Sequence, residues 1–232
     1  MITVRKSRDR GHADHGWLRS QHSFSFADYY DPEQMGYSSL RVINEDRVSA
    51  GAGFPTHGHS NMEIITYVLE GALEHKDSLG NSSVIQAGEV QRMSAGTGVR
   101  HSEYNHSKTD PVHFLQIWIE ADVRGITPGY EQKAFAAAEF RNRLRLVVAP
   151  DGHDGALRLQ QNAKLYLADI HDAESVSYTQ DAGRHVYVQA VRGALQVNGV
   201  ALNAGDGARI DAEAALTIKG APQGELLLFD LP

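Results

Sequence analysis

Two histidines one residue apart, His57 and His59 in "FPTHGHS", stand at the mouth of the apolar run "MEIITYVLEG". On an extended strand the side chains at i and i+2 leave the same face, so both imidazoles project together. Two ligands on one strand do not close a metal site. A second pair of the same spacing, His101 and Glu103 in "GTGVRHSEYN", lies 42 positions beyond His59, behind the glycine-rich turn Gly96 to Gly98. If the two strands face each other inside a barrel, three imidazoles and a carboxylate converge. That donor set suits Fe, Mn, Co, Ni, Cu or Zn and does not choose among them. Roughly two positions of an octahedral shell stay free, enough for an anionic oxygen donor beside dioxygen or water. Glu103 then has two readings that both stay open: a permanent ligand, or a ligand that also accepts a substrate proton as general base.

Composition narrows the alternatives. The chain has no cysteine, which excludes disulfides, thiolate nucleophiles, thiolate zinc sites and iron–sulfur clusters. Of twelve histidines, nine lie between His12 and His113, so any nitrogen-rich site belongs to the first half. The formal net charge is -7 and Lys and Arg are scattered, which argues against nucleic acid as a partner. The opening "MITVRKSRDRGHADHG" lacks an apolar h-region and no run is long enough to cross a bilayer, so the reading is a cytoplasmic protein with no membrane partner.

The elements that must position the four ligands read as β-strands. Short apolar or alternating runs such as "SLRVI", "VHFLQIWI", "RLRLVV" and "HVYVQAVRG" are punctuated by Gly, Asn and Asp, the pattern of barrels or sandwiches. One window, Tyr130 to Arg143, is rich in Ala, Glu, Lys and Arg and leans helical. It follows the turn-forming "GITPG", which places a domain junction there, with residues 1–128 before it and 129–232 after it.

The halves repeat each other weakly: "VLEGALE" with Gly71 is echoed by "AVRGALQ" with Gly193, and "QAGEV" with Gly88 by "NAGDG" with Gly205. Counting the same steps from these glycines puts Thr179 and Asp181, then Ile218 and Gly220, where the first copy has its ligands. The second copy therefore lacks the donors, and one metal per chain is expected.

Other conspicuous residues carry plainer readings. Glu63 either orients a ligand histidine or is a buried carboxylate satisfied by backbone amides. Asn105 reads as a strand cap rather than a partner of the site. The aromatics of "HSFSFADYY" (Phe24, Phe26, Tyr29, Tyr30) either wall an aromatic substrate pocket or, as is commoner for period-two alternation, belong to the core; Trp118 with Phe114 reads as core, and His75, His106 and His113 receive no role.

The segments "GAGFPTHGHSNMEIITYVLEG" and "EVQRMSAGTGVRHSEYN" resemble the two motifs of the cupin superfamily. With "RGHADHGWLRSQHSFSFADYYDP", "GYSSLRVINEDRV" and "APDGHDGALRL", the likeness is to bacterial members of the pirin family and covers essentially the whole chain. The spacing of Glu63 departs from the standard cupin glutamate, which favours Glu103 in its place. The resemblance implies an all-β bicupin, two tandem β-barrels with a short helical element near the junction. It further implies one metal in the N-terminal barrel, commonly iron as Fe(II), held by residues matching His57, His59, His101 and Glu103. It implies quercetin 2,3-dioxygenase activity, the opening of a flavonol by O2 with release of carbon monoxide. The alternative it carries is a metal-bearing regulatory protein that acts through a protein partner.

Overall fold

Short alternating runs fold as strands along the whole chain, because branched and aromatic side chains pack well on a pleated, half-buried surface. The computed structural model describes residues 1–232. The first part contains β1 (Ile2–Arg5), β2 (Gly11–Asp14), β3 (Leu18–His22), β4 (Leu40–Val48), β5 (Gly53–His59) and β6 (Met62–Glu70). It continues through β7 (Ala72–Asp77), β8 (Ser82–Gln86), β9 (Glu89–Ser94), β10 (Val99–Asn105), β11 (Val112–Glu120) and β12 (Gly129–Ala134). After the one-turn helix α1 (Ala137–Phe140) come β13 (Arg145–Ala149), β14 (Leu157–Arg158), β15 (Lys164–Ile170) and β16 (Ser175–Thr179). The chain ends with β17 (His185–Val197), β18 (Val200–Asn203), β19 (Gly207–Ile210) and β20 (Ala215–Leu231). No helix is long and apolar enough to cross a membrane.

Three sheets result. A seven-stranded sheet, β12-β9-β6-β11-β4-β3-β2, faces a four-stranded sheet, β5-β10-β7-β8, and together they form the first barrel. A nine-stranded sheet built on β1-β19-β17-β20-β15-β13-β14 curls into the second. The bicupin architecture expected from the sequence is present. Side chains on the outer face of the seven-stranded sheet, among them Ile43, Ile65, Leu115 and Ile117, share one apolar core with Leu167, Tyr187, Leu227 and Phe229 of the second barrel.

The sheets do not part at residue 128. β1 pairs with β19 of the second barrel, Ile2 opposite Ile210, while β12 pairs with β9 of the first, Gly129 opposite Ser94. Each barrel thus borrows a strand from the far side of the expected junction. The helix-leaning window Tyr130 to Arg143 is also corrected: its first five residues belong to β12 and only Ala137–Phe140 is α-helical. The free edge of β9 offers a six-residue register, and Gln132 anchors it by donating to Val84 O and to Glu89 at 2.7 Å. Tertiary pairing of this kind overrides the modest helix propensity of Lys and Ala.

The repeat read from the glycines is borne out in backbone geometry: Gly88 and Gly205 occupy equivalent turns, both with φ +83. What fills the barrels differs. In the second, Ile218 and Val176 lie cross-strand from each other inside a core of fifteen buried apolar residues. That interior has no room for a polar cluster.

Candidate metal centre

The inward face of β10 carries the site. Val99, His101, Glu103 and Asn105 are buried, whereas Arg100 and Tyr104 between them are exposed, the period-two alternation that the i, i+2 spacing demands. β5 runs antiparallel beside it with His57 opposite His101 and His59 opposite Val99. Between His101 and Glu103 the register slips, Glu103 pairing with Phe54, so β5 holds one extra residue at Pro55–Thr56. A bulge suits a proline, which has no N–H for the ladder.

The structure brings His57, His59 and His101 together: one ligand atom from each lies within 4.8 Å of the others. His59 Nε2 and His101 Nε2 are 3.0 Å apart. Glu103 belongs to a second group with His101 and His75, so His101 is the hinge between the three imidazoles and the carboxylate. Both Glu103 oxygens accept from Gln116 Nε2, at 3.2 and 3.0 Å, and Thr66 Oγ1 donates to Gln116 Oε1 at 2.6 Å. Gln116 is thereby fully used as a bracket for the carboxylate.

Two hydrogen bonds set the imidazoles for metal binding. His57 Nδ1 donates to Pro55 O at 2.8 Å, which leaves Nε2 with its lone pair free. His75, which received no role from the sequence, is fully buried and contacts Asp77 Oδ2 through Nε2 at 3.0 Å. Its Nδ1 is then an acceptor, 3.5 Å from His101 Nδ1 and 3.4 Å from Gln91 Nε2. A proton on His101 Nδ1 satisfies that acceptor and leaves His101 Nε2 unprotonated beside His59. His75 sits directly across β7–β10 from Glu103, a register that sequence spacing does not display.

Electrostatics agree with a cation site. Burial pushes His101 down to about 2, with the neighbouring imidazoles adding to it, and His59 down to about 4, so both are neutral donors. Burial pushes Glu103 up to about 7 against the pull of Gln116, with Asp46 raising it further. Two neutral imidazoles, the free Nε2 of His57 and a desolvated carboxylate fit a divalent first-row cation.

A cavity of about 330 Å³ opens on this cluster, reaching His57 and Glu103. Phe26, Tyr29, Phe54 and Trp118 are among its walls. Trp118 lies edge-on to His59 at 5.0 Å and to Phe26 at 5.3 Å. Phe26 and Tyr29 thus take the pocket-wall reading and Trp118, read as core, also lines the cavity, while Phe24 and Phe114 are core and Tyr30 is exposed. The return of the chain at 26–29, where Phe26 and Tyr29 bond each other's backbone, turns both rings inward.

Glu63 does not reach the imidazoles: its Oε2 accepts from Ser94 Oγ at 2.8 Å and from Gln160 N of the second half at 3.1 Å. Asn105 donates to Val48 O and Asp110 O, closing a loop. His113 contacts Glu45, remote from the cavity. The sequence also missed Asn44 and Asp46, two polar residues on the inner face of β4. Their alternation within "RVINEDRV" is masked by Glu45 and Arg47 on the other face.

Comparison with known proteins gives concordant findings. The family model described as Pirin matches residues 3–119, and that of the quercetinase C-terminal cupin domain matches residues 146–231. The chain is 52% identical to a quercetin 2,3-dioxygenase of Escherichia coli, covering 100% of this chain and 99% of the relative. It is 42% identical to a pirin-like protein of Caulobacter vibrioides over 97% of this chain and 98% of the relative. The crystal structure of the bacterial pirin YhhW of Escherichia coli in complex with nickel(II) superposes with a TM-score of 0.96 at 51% identity, covering 100% of this chain and 99% of that one.

Proposed function

The chain belongs to the pirin family, and from that premise we propose that it is a metal-dependent dioxygenase opening a flavonol of the quercetin type with release of carbon monoxide. The observation that carries the reading is the aromatic-walled cavity of about 330 Å³ in contact with His57 and Glu103. A cavity of that size accepts a ligand of several rings. A regulatory protein that works through a protein partner would share the fold and the histidines but has no need of the cavity, which is what separates the two readings.

His57, His59, His101 and Glu103 are the proposed metal ligands. Iron(II) is the resident ion that the family resemblance puts first, and nickel(II) occupies the Escherichia coli relative. When bound, such a cation supplies Lewis acidity toward a phenolic oxygen and a position for dioxygen. The remaining work falls to the chain. Trp118 and Phe26 hold a planar ring system by its faces and edges and keep bulk water out. Glu103, raised by burial and bracketed by Gln116, is the proposed acceptor of the flavonol 3-hydroxyl proton, onto a carboxylate oxygen. In the net conversion both atoms of dioxygen enter the product, two ring C–C bonds break and one carbon leaves as carbon monoxide.

The test is aerobic incubation with quercetin of protein loaded separately with Fe, Mn, Co, Ni or Cu, reading carbon monoxide. His101→Ala is expected to abolish both metal retention and turnover. Glu103→Gln is expected to keep part of the metal and lose about 100-fold or more in rate. Equal turnover by wild type and His101→Ala would remove the enzyme reading from this site.

A further inference from the structure

The side of the cavity formed by β3 and β4 holds polar atoms that the proposed chemistry leaves unused. Asn44 and Asp46 project from alternate positions of β4, Asn44 opposite His22 and Asp46 opposite Ser20 on β3. His22, Asn44 and Asp46 all line the cavity and are at least 96% buried. Each has one polar atom with no partner in the protein: His22 Nδ1, Asn44 Oδ1 and Asp46 Oδ1. A single stray acceptor is ordinary, but three on adjacent strands around one cavity are not, since buried polar groups nearly always find partners.

These side chains offer both hydrogen-bonding signs: the Asn44 and Asp46 oxygens accept, while the Asn44 amide nitrogen donates. Burial, reinforced by Arg10, holds His22 in its neutral form with a value of about 4, so its free nitrogen can accept as well. Asp46 is raised by burial to about 7, which leaves a share of it ionised at neutral pH. A hydroxyl group, which both donates and accepts, matches such a wall. Around them stand aromatic walls: Phe26 packs edge-on against His22 at 5.4 Å, and Tyr29 lies 6.3 Å from the same ring. The demand is therefore for hydroxyl groups carried on an aromatic ring.

We infer that the wall formed by His22, Asn44 and Asp46 is a recognition subsite for the hydroxyl groups of a polyphenol, reading the ring remote from the cation. This rests on the proposed flavonol site and extends it: the cluster on β5 and β10 takes the reacting oxygen, and β3 and β4 sort ligands by the hydroxyls at their other end. A ligand lacking those hydroxyls leaves the polar groups of the wall unpaired and binds less well, by about 10-fold or more.

The test is an anaerobic titration of the nickel-loaded protein followed by tryptophan fluorescence. Two flavonols are compared: quercetin, and the flavonol with the same rings and 3-hydroxyl but no hydroxyls on the pendant ring. Wild type is expected to prefer quercetin by about 10-fold or more. In Asn44→Leu and in Asp46→Leu that preference is expected to fall to within about 2-fold, with the Kd of the bare flavonol little changed. A purely structural defect would weaken both ligands alike. Equal binding of the two by wild type, or a preference that survives in the variants, overturns the subsite and leaves the dioxygenase reading intact. Should one variant fail to fold, the wild-type ratio and the other variant decide. Failure of both flavonols to bind wild type overturns the subsite and the flavonol reading together.

Discussion

His75 shows what a single residue can do from behind a proposed metal ligand. Its Nε2 is committed to Asp77, itself held by Asn81 and the Leu79 amide, so its Nδ1 can only accept. That acceptor turns the Nδ1 proton of His101 away from the other imidazoles. Loss of such an outer partner commonly costs 10–100-fold in metal affinity. We expect His75→Ala to release nickel to a chelator about 10-fold faster or more, while His75→Gln, which retains an acceptor, recovers part of the retention. That His57 and His59 share a face, and His101 and Glu103 another, was legible from the two i, i+2 pairs, because strand periodicity alone decides it. His75 was not, because its role depends on the β7–β10 register, and Trp118 was not, because aromatic alternation looks the same whether a ring faces a core or a cavity.

At the scale of elements, the site depends on how closely β5 and β10 approach. Gly53 begins β5 opposite Tyr104, and a Cβ there would collide with the Glu103 carbonyl and the Tyr104 Cα. Both obstacles are backbone and cannot swing aside. Gly53→Ala should therefore cost about 1–3 kcal/mol through overpacking, seen as a Tm lower by several degrees. Nickel affinity should fall with it, since β5 carries His57 and His59; a variant with unchanged Tm and affinity would show that the strands have slack. Strand periodicity and turn glycines made most of these elements readable. The window at Tyr130–Arg143 was misread because its Ala and Lys content favours a helix locally, whereas the open edge of β9 is a long-range opportunity that composition does not register.

For the whole molecule, the joint between the barrels and the path of the chain across it matter most. Arg10, on the segment leading from β1 into the first barrel, pairs with Glu45 at 2.9 Å, and His113 meets the same carboxylate at 2.9 Å. Burial alone would raise Glu45, but His113 and Arg10 outweigh it and hold the carboxyl at about 2, below its ordinary 4.5. A lowered folded value means stability that is present above pH 4.5 and lost as pH falls toward 2, on the order of 3 kcal/mol in full. Glu45→Gln should lower the Tm at pH 7 and flatten its decline between pH 4.5 and 2; an unchanged acid limb would deny Glu45 this part. The two-barrel plan was legible from the glycine-anchored repeat, but the traded strands were not, since β1 and β19 are joined by nothing closer in sequence than the length of the protein. The trade has a consequence for biosynthesis. A ribosome delivers residues 2–5 long before their partners at 207–210, so that strand waits as a loose thread while everything between is made. The second barrel's sheet stays unfinished until residues 207–210 have emerged, and a ribosome stalled before that point would hold a protein whose first barrel could already close while its second could not.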